Sequence, residues 1–229
     1  MSEALRERVA AANAALAAHG LAQASFGNVS EVDREAGVVA IKPSGIPCDS
    51  VRPEDVAVVS LETGELLDGL KPSSDTPTHL ELYRAWESLG GVAHTHSRFA
   101  TSWAQAKRPI PCLGTTHADH VDGPVPVTRD LDDDECAGEY ERLTGVVVVE
   151  ALDGRDPLDV PACLVASHGA FMWGVSAAQA VEHAAALEEI AALAFNTVLL
   201  EAAAEPVSPA LLRRHFARKH GPTAYYGQR

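Results

Sequence analysis

The stretch Gly90-Gly91-Val92-Ala93-His94-Thr95-His96-Ser97 decides how the rest of the chain is read. Small apolar residues lead into two histidines spaced two apart, the pattern of a buried strand that ends at a site. Side chains at i and i+2 of a strand share a face, so both imidazoles can hold one ion. In a helix the same rings would point roughly 200° apart. A third histidine, His168, closes a second apolar run, Ala162-Cys163-Leu164-Val165-Ala166-Ser167, and Asp75 follows the polar pair Ser73-Ser74. Three imidazoles and a carboxylate form a donor set suited to Zn²⁺, with Mn²⁺ or Co²⁺ as alternatives.

The chain has 229 residues, 46% of them hydrophobic, which suits one domain with a sizeable core. A formal charge of −14 and a pI near 5.0 argue against nucleic acid or an anionic membrane as partner. No apolar run approaches the roughly 20 residues of a membrane span, and Met1–Ala10 does not read as a signal peptide. Cys48, Cys112, Cys136 and Cys163 are widely spaced with no Cys-x-x-Cys, so reduced thiols and a cytoplasmic location are expected.

Read along the chain, Ser2–His19 is an Ala-rich helix closed by Gly20. Val38–Ile41 and Val56–Leu61 are strands, and Glu62-Thr63-Gly64-Glu65 turns the latter into a hairpin with Leu66-Leu67. Antiparallel pairing is therefore expected early. Asp75 or Thr76 caps a helix carried by His79–Leu89, with Pro77 at its first position. Further helices are expected over Arg98–Ala106, Asp132–Leu143, Ser176–Ala204 and Ser208–Lys219. Val146–Val149 and Ala162–Ala166 read as strands, while Met172 and Trp173 read as core. No internal repeat or linker divides the chain, so residues 1–229 form one α/β domain. Its central sheet is mixed but largely antiparallel, with helices on both faces.

Three short polar turns, Gly27-Asn28, Ser44-Gly45 and Ser73-Ser74, stand at the ends of elements. Exposed backbone N–H groups and hydroxyls there suit a phosphate, with Lys42 as the local positive charge. Their value depends on convergence in space. Asp119 lies in a histidine-flanked loop, and Tyr225 and Tyr226 end a tail that needs something to order it. A phenol is a usable proton donor only when held in a shielded site.

Several motifs together carry a resemblance. They are Gly27-Asn28-Val29-Ser30, Lys42-Pro43-Ser44-Gly45, the Lys71–His79 segment, His94-Thr95-His96-Ser97, Gly114–Asp119, Ser167-His168-Gly169 and the tail from Lys219. In this order and spacing, over nearly the whole length, the chain resembles the class II aldolase/epimerase family. Within that family it resembles the branch that inverts carbon four of a ketopentose phosphate, as in L-arabinose breakdown. The resemblance implies a metal site of Asp75, His94, His96 and His168. It implies phosphate binding by Gly27, Asn28, Lys42, Ser44, Gly45, Ser73 and Ser74. Asp119 would be one acid/base and Tyr226, from the adjacent subunit, the other. His215 and Arg218 occupy a stretch that also reaches the neighbouring site, and the family forms a ring-shaped homotetramer in which residues 220–229 extend to a neighbour. Phe26, His120 and Ala170 stand where tryptophan, tyrosine and proline are common; none removes a group the chemistry needs. The rivals are an L-fuculose-phosphate-like aldolase that releases its products and a non-catalytic sugar-phosphate binder of the same fold.

Overall fold

The computed structural model describes residues 3–221 and 224–226. Of the tail expected to reach a neighbour, residues 222–223 and 227–229 lie outside the described residues.

The elements run α1 (Glu3–Ala18), β1 (Asn28–Asp33), β2 (Val38–Ile41), β3 (Ala57–Ser60), β4 (Leu66–Asp68), α2 (Thr76–Ala85), β5 (Gly91–Thr95) and α3 (Arg98–Gln105). They continue with α4 (Thr115–Ala118), α5 (Asp133–Ala137), α6 (Tyr140–Leu152), β6 (Ala162–Leu164), β7 (Ala170–Gly174), α7 (Ala177–Leu200) and α8 (Pro209–Lys219). Among the described residues the strands form one seven-stranded sheet, ordered β4-β3-β2-β1-β5-β7-β6. Every ladder is antiparallel. The parallel component expected of a mixed sheet is reduced to a single bridge between Val127 and Leu164.

Period-two alternation explains the two layers. Along β7, Ala170 and Met172 face a core shared with α3 and α7, built from Leu16, Val29, Ala93, Trp103, Leu187 and Ile190. Phe171 and Trp173 face the opposite core, shared with α2 and α6 and built from Val39, Leu82, Val92, Val148 and Leu152. Complete burial of Phe171 and Trp173 contributes roughly 1.5–3 kcal/mol each. α1 covers the outer strands through Leu5 and Val9. Asn13 in α1 holds β1 in place: its carbonyl accepts from Val29 N at 2.9 Å and its amide donates to Val29 O at 3.2 Å.

Several elements differ from the sequence reading. Val146–Val149 is not a strand but lies in the middle of α6. Its β-branched preference is overridden because Val147 and Val148 are buried beside α2, and Gly145 lets the helices close: a Cβ there would sit 2.6 Å from Glu81 Cβ. The helix expected over Asp132–Leu143 breaks at Gly138 into α5 and α6, so Tyr140 begins a helix. Met172 and Trp173, read only as core, lie in strand β7. α7, 24 residues long, is apolar enough by length and composition to cross a membrane, contrary to the expectation that no run would be; its inner face packs on β5 and β7.

Candidate active site

β5 enters beneath the start of α7, and only glycine allows it. A Cβ on Gly91 would lie 2.3 Å from Ala177 N, and one on Gly90 would lie 2.1 Å from Val175 O. The strand then delivers His94 opposite Asn28 of β1 and Phe171 of β7. His96 follows just past the strand end. His168 stands on the turn before β7, where Ser167 adopts the left-handed conformation, φ +62°. The three rings lie 4.9 Å apart, centroid to centroid, in each pairing. One nitrogen from each falls within 4.8 Å of the other two.

The local hydrogen bonds orient these rings. His94 Nδ1–H donates to Ala170 O at 2.9 Å, which leaves the Nε2 lone pair facing His96 Nε2 at 3.0 Å. Two nitrogens on one tetrahedral zinc at 2.0–2.1 Å would stand about 3.3 Å apart, so the spacing suits a shared ion. Burial holds the His94 imidazole down to about 3 and also lowers His96 and His168, the charge of Asp75 opposing the shift in each. All three are therefore neutral at pH 7, the form that binds metal. His94 is buried while His96 is exposed, leaving an open side for a substrate. Phe26 stacks on His96 there, centroids 5.9 Å apart.

Asp75 is not one of the grouped ligands. It occupies the N-cap position of α2, yet its carboxylate caps nothing. Its Oδ2 accepts instead from Asn28 Nδ2 at 2.6 Å. Burial alone would raise its carboxyl, but His94, His79, Asn28 and His168 outweigh that and hold it low. It is thus a charged wall beside the histidines. Behind it, fully buried His79 shares a hydrogen bond with Ser30 Oγ at 2.7 Å, which meets Tyr83 OH at 2.8 Å.

The three polar turns do converge. Asn28 Nδ2 donates to Ser73 Oγ at 3.2 Å, Ser73 N to Lys42 O at 3.0 Å, and Ser44 N to Lys71 O at 2.9 Å. Gly27 and Gly45 have φ of +82° and +78°. Ser44, Gly45 and Ser74 stay exposed. Lys42 is buried, donating to Ile46 O at 2.5 Å, and burial lowers its ammonium.

Asp119 is gathered elsewhere. It accepts from Arg218 Nε at 2.8 Å and from His215 Nδ1–H at 3.0 Å, and also pairs with Arg218 Nη2. Burial would raise its carboxyl; the hydrogen bonds from Arg218 and His215, with Lys219, hold it low. Arg218 and Lys219 lie over the Tyr226 ring at 4.8 and 5.0 Å. Asp119, His215, Arg218 and Tyr226 therefore form one cluster within one chain. Beside it, His120 and His183 line one cavity, and His183 Nδ1–H donates to Trp173 O at 2.6 Å. Trp173 is three residues along β7 from Ala170 and the His168 turn, about 10 Å of strand. Among the described residues the side-chain hydrogen bonds and ion pairs of Asp119 go to His215, Arg218 and Lys219, and none goes to the three grouped histidines.

Two residues escaped the sequence reading. Glu188 of α7 accepts from Ser97 Oγ at 2.7 Å, Phe99 N at 2.8 Å and Ala100 N at 3.0 Å, capping α3 directly after His96. No local pattern links residues so far apart. Tyr140 brings its phenol to His168, and the misread break between α5 and α6 concealed it.

The family described as Class II Aldolase and Adducin N-terminal domain matches residues 7–195. The chain belongs to this family. Its relatives include L-ribulose-5-phosphate 4-epimerase UlaF of Salmonella paratyphi C (strain RKS4594), 47% identical over 98% of this chain and 99% of the relative. The protein of the same name from Salmonella choleraesuis (strain SC-B67) matches equally. Among solved structures, an L-fuculose 1-phosphate aldolase superposes with a TM-score of 0.81 at 22% identity, over 94% of this chain and 95% of that one. An L-fuculose-1-phosphate aldolase from Thermus thermophilus gives 0.69 at 26% identity, over 87% and 97%. In this fold the three histidines, the three polar turns and Asp75 lie at one end of the sheet, a convergence the sequence alone did not show.

Proposed function

We propose that this chain interconverts L-ribulose 5-phosphate and D-xylulose 5-phosphate. The observation that carries this reading is the near full-length identity of 47% to relatives bearing that epimerase name, in a chain whose three histidines converge. The proton on carbon four is not α to the ketone, so simple deprotonation cannot invert it. Breaking and remaking the bond between carbons three and four can. His94, His96 and His168 would hold a divalent cation, Zn²⁺ or else Mn²⁺ or Co²⁺, which when bound would supply Lewis-acid polarisation of the ketose oxygens. Ser44, Gly45, Ser73, Ser74, Gly27 and Asn28, with Lys42, retain the two-carbon aldehyde phosphate while its carbonyl turns over. Asp75, bonded to Asn28, lines the cage beside them. Asp119 and Tyr226 take and return the proton of the carbon-four hydroxyl, one for each configuration.

The resemblance implied that only Tyr226 comes from the adjacent subunit; in this reading the link from Asp119 through Arg218 to Tyr226 assigns both to the chain next to the cage, within a homotetramer. Exposed Leu193, Phe195, Leu199 and Leu200 on α7 support such an association. The four free cysteines, three of them buried, fit a cytoplasmic enzyme of pentose use, L-arabinose breakdown among the routes.

The test is a coupled assay with L-ribulose 5-phosphate on parent, chelated and metal-restored protein. The reading expects D-xylulose 5-phosphate to form, to vanish on chelation and to return with metal. Stoichiometric dihydroxyacetone and glycolaldehyde phosphate without D-xylulose 5-phosphate would favour the aldolase, and ligand binding without turnover the non-catalytic binder.

A further inference from the structure

We propose that Tyr140 is a positioning residue for His168, accepting the Nδ1–H of that ring so that Nε2 faces the ion. The inference rests on the reading of His94, His96 and His168 as a metal cage. The phenol oxygen lies 3.4 Å from His168 Nδ1, and the two rings stand 6.3 Å apart at 33°. Among the described residues it is the hydrogen-bond partner of the His168 ring. His94 has the same arrangement by other means, its Nδ1–H bound to Ala170 O and its Nε2 free. A metal-binding imidazole needs such an acceptor to fix its tautomer and orientation. Among the described residues no main-chain carbonyl bonds the His168 ring, and Gly169 must follow it: a Cβ there would stand 2.7 Å from Thr95 O and 3.1 Å from His96 Cδ2. The glycine turn brings His168 in close and leaves its outer nitrogen to a side chain.

The fold holds that side chain firmly. Tyr140 is the first residue of α6, and Thr144 Oγ1 donates to its carbonyl at 2.8 Å. Thr78 Oγ1 in the first turn of α2 donates to Glu141 O at 2.5 Å. The helix start that carries Asp75 and the one that carries Tyr140 are thus clipped together, with Gly145 against Thr78 and Glu81 as the point of closest approach. Half-buried Tyr140 has its phenol raised mainly by burial, with Asp75 among the charges adding to the shift, so it remains a neutral phenol at working pH. A neutral phenol accepts one hydrogen bond and keeps its own proton for an oxygen on the open side of the cage.

The experiment is Tyr140→Phe, read by metal affinity rather than turnover. Metal-free parent and variant are titrated with Zn²⁺ and with Mn²⁺ against a competing chelator, and the melting point of each metal-free protein is recorded. The proposal expects binding about 10–100-fold weaker in the variant with little change in the metal-free melting point. Equal affinity in parent and variant overturns it, as does a loss explained by a parallel fall in melting point. A parent that binds neither ion instead removes the cage reading, and this inference with it. Nitrogen-15 spectra of the parent provide a check that needs no variant: the His168 ring should carry its proton on Nδ1, and a dominant Nε2–H form would refute the proposal.

Discussion

A chain carrying His96→Ala and a chain carrying Asp119→Asn should rescue one another. Each variant alone should be crippled: the first lacks a cage imidazole, and the second loses a proton handler worth about 10²–10⁴-fold. Asp119 is tied through Arg218 to Tyr226 in its own chain, and among the described residues its side-chain hydrogen bonds and ion pairs go to His215, Arg218 and Lys219 rather than to its own cage. A working site would then take its cage from one chain and its proton handlers from the next. In a ring assembled at random from equal amounts, half of the cages and half of the Asp119 groups are intact. About a quarter of the sites should combine the two, and activity should recover to about a quarter of the parent. A mixture of Asp119→Asn with Tyr226→Phe should stay dead, because both groups come from the same chain and every site loses one of them. The assay is epimerisation by differently tagged chains co-expressed and purified through both tags. If the first mixture shows no more than the sum of its parents, or the second recovers, the division of the site between chains is wrong.

Other perturbations address the cage and its supports. Gly169→Ala forces a methyl against Thr95 O and His96, so it should cost about 1–3 kcal/mol and reduce metal stoichiometry in protein that still folds; normal metal content would count against the packing argument. Glu188→Ala removes three hydrogen bonds from the start of α3 and should cost about 1–2 kcal/mol by urea unfolding, with weaker metal binding through His96. Burial holds His79 at about 4, against an ordinary value near 6.5. The unfolded chain therefore binds the extra proton between those values, and stability falls as pH drops through that window. From pH 6.5 to 5 the loss from His79 is about 1.6 kcal/mol. Urea unfolding of metal-free protein should show it, and His79→Leu should flatten the slope; an unchanged slope would assign the acid sensitivity to other groups.

Local chemistry made much of this protein legible. The glycine pair and the alternating histidines announce a strand that ends in a cage, because strand geometry puts i and i+2 on one face whatever surrounds them. Ser176 and Ser208 each cap their helices as their side-chain chemistry dictates. Convergence was another matter. Nothing in the separate turns at Asn28, Lys42 and Ser73 states that they touch; sheet order and the α2 start bring them together. The valines at 146–149 carry a strand preference, and packing on α2 reversed it, since burial against a neighbouring helix outweighs tenths of a kcal/mol of propensity. That reversal sets where α6 begins, and so which residue meets His168. The sequence by itself marked the candidate histidines and the polar turns, each from neighbours a few residues apart, and the fold class from the order of its motifs along the chain. Only the tertiary structure decided that Asp75 bonds Asn28, that Asp119 is held by α8, and that Tyr140 and Glu188 back the cage, because those contacts join residues 28 to 99 positions apart whose meeting depends on how the whole sheet is ordered.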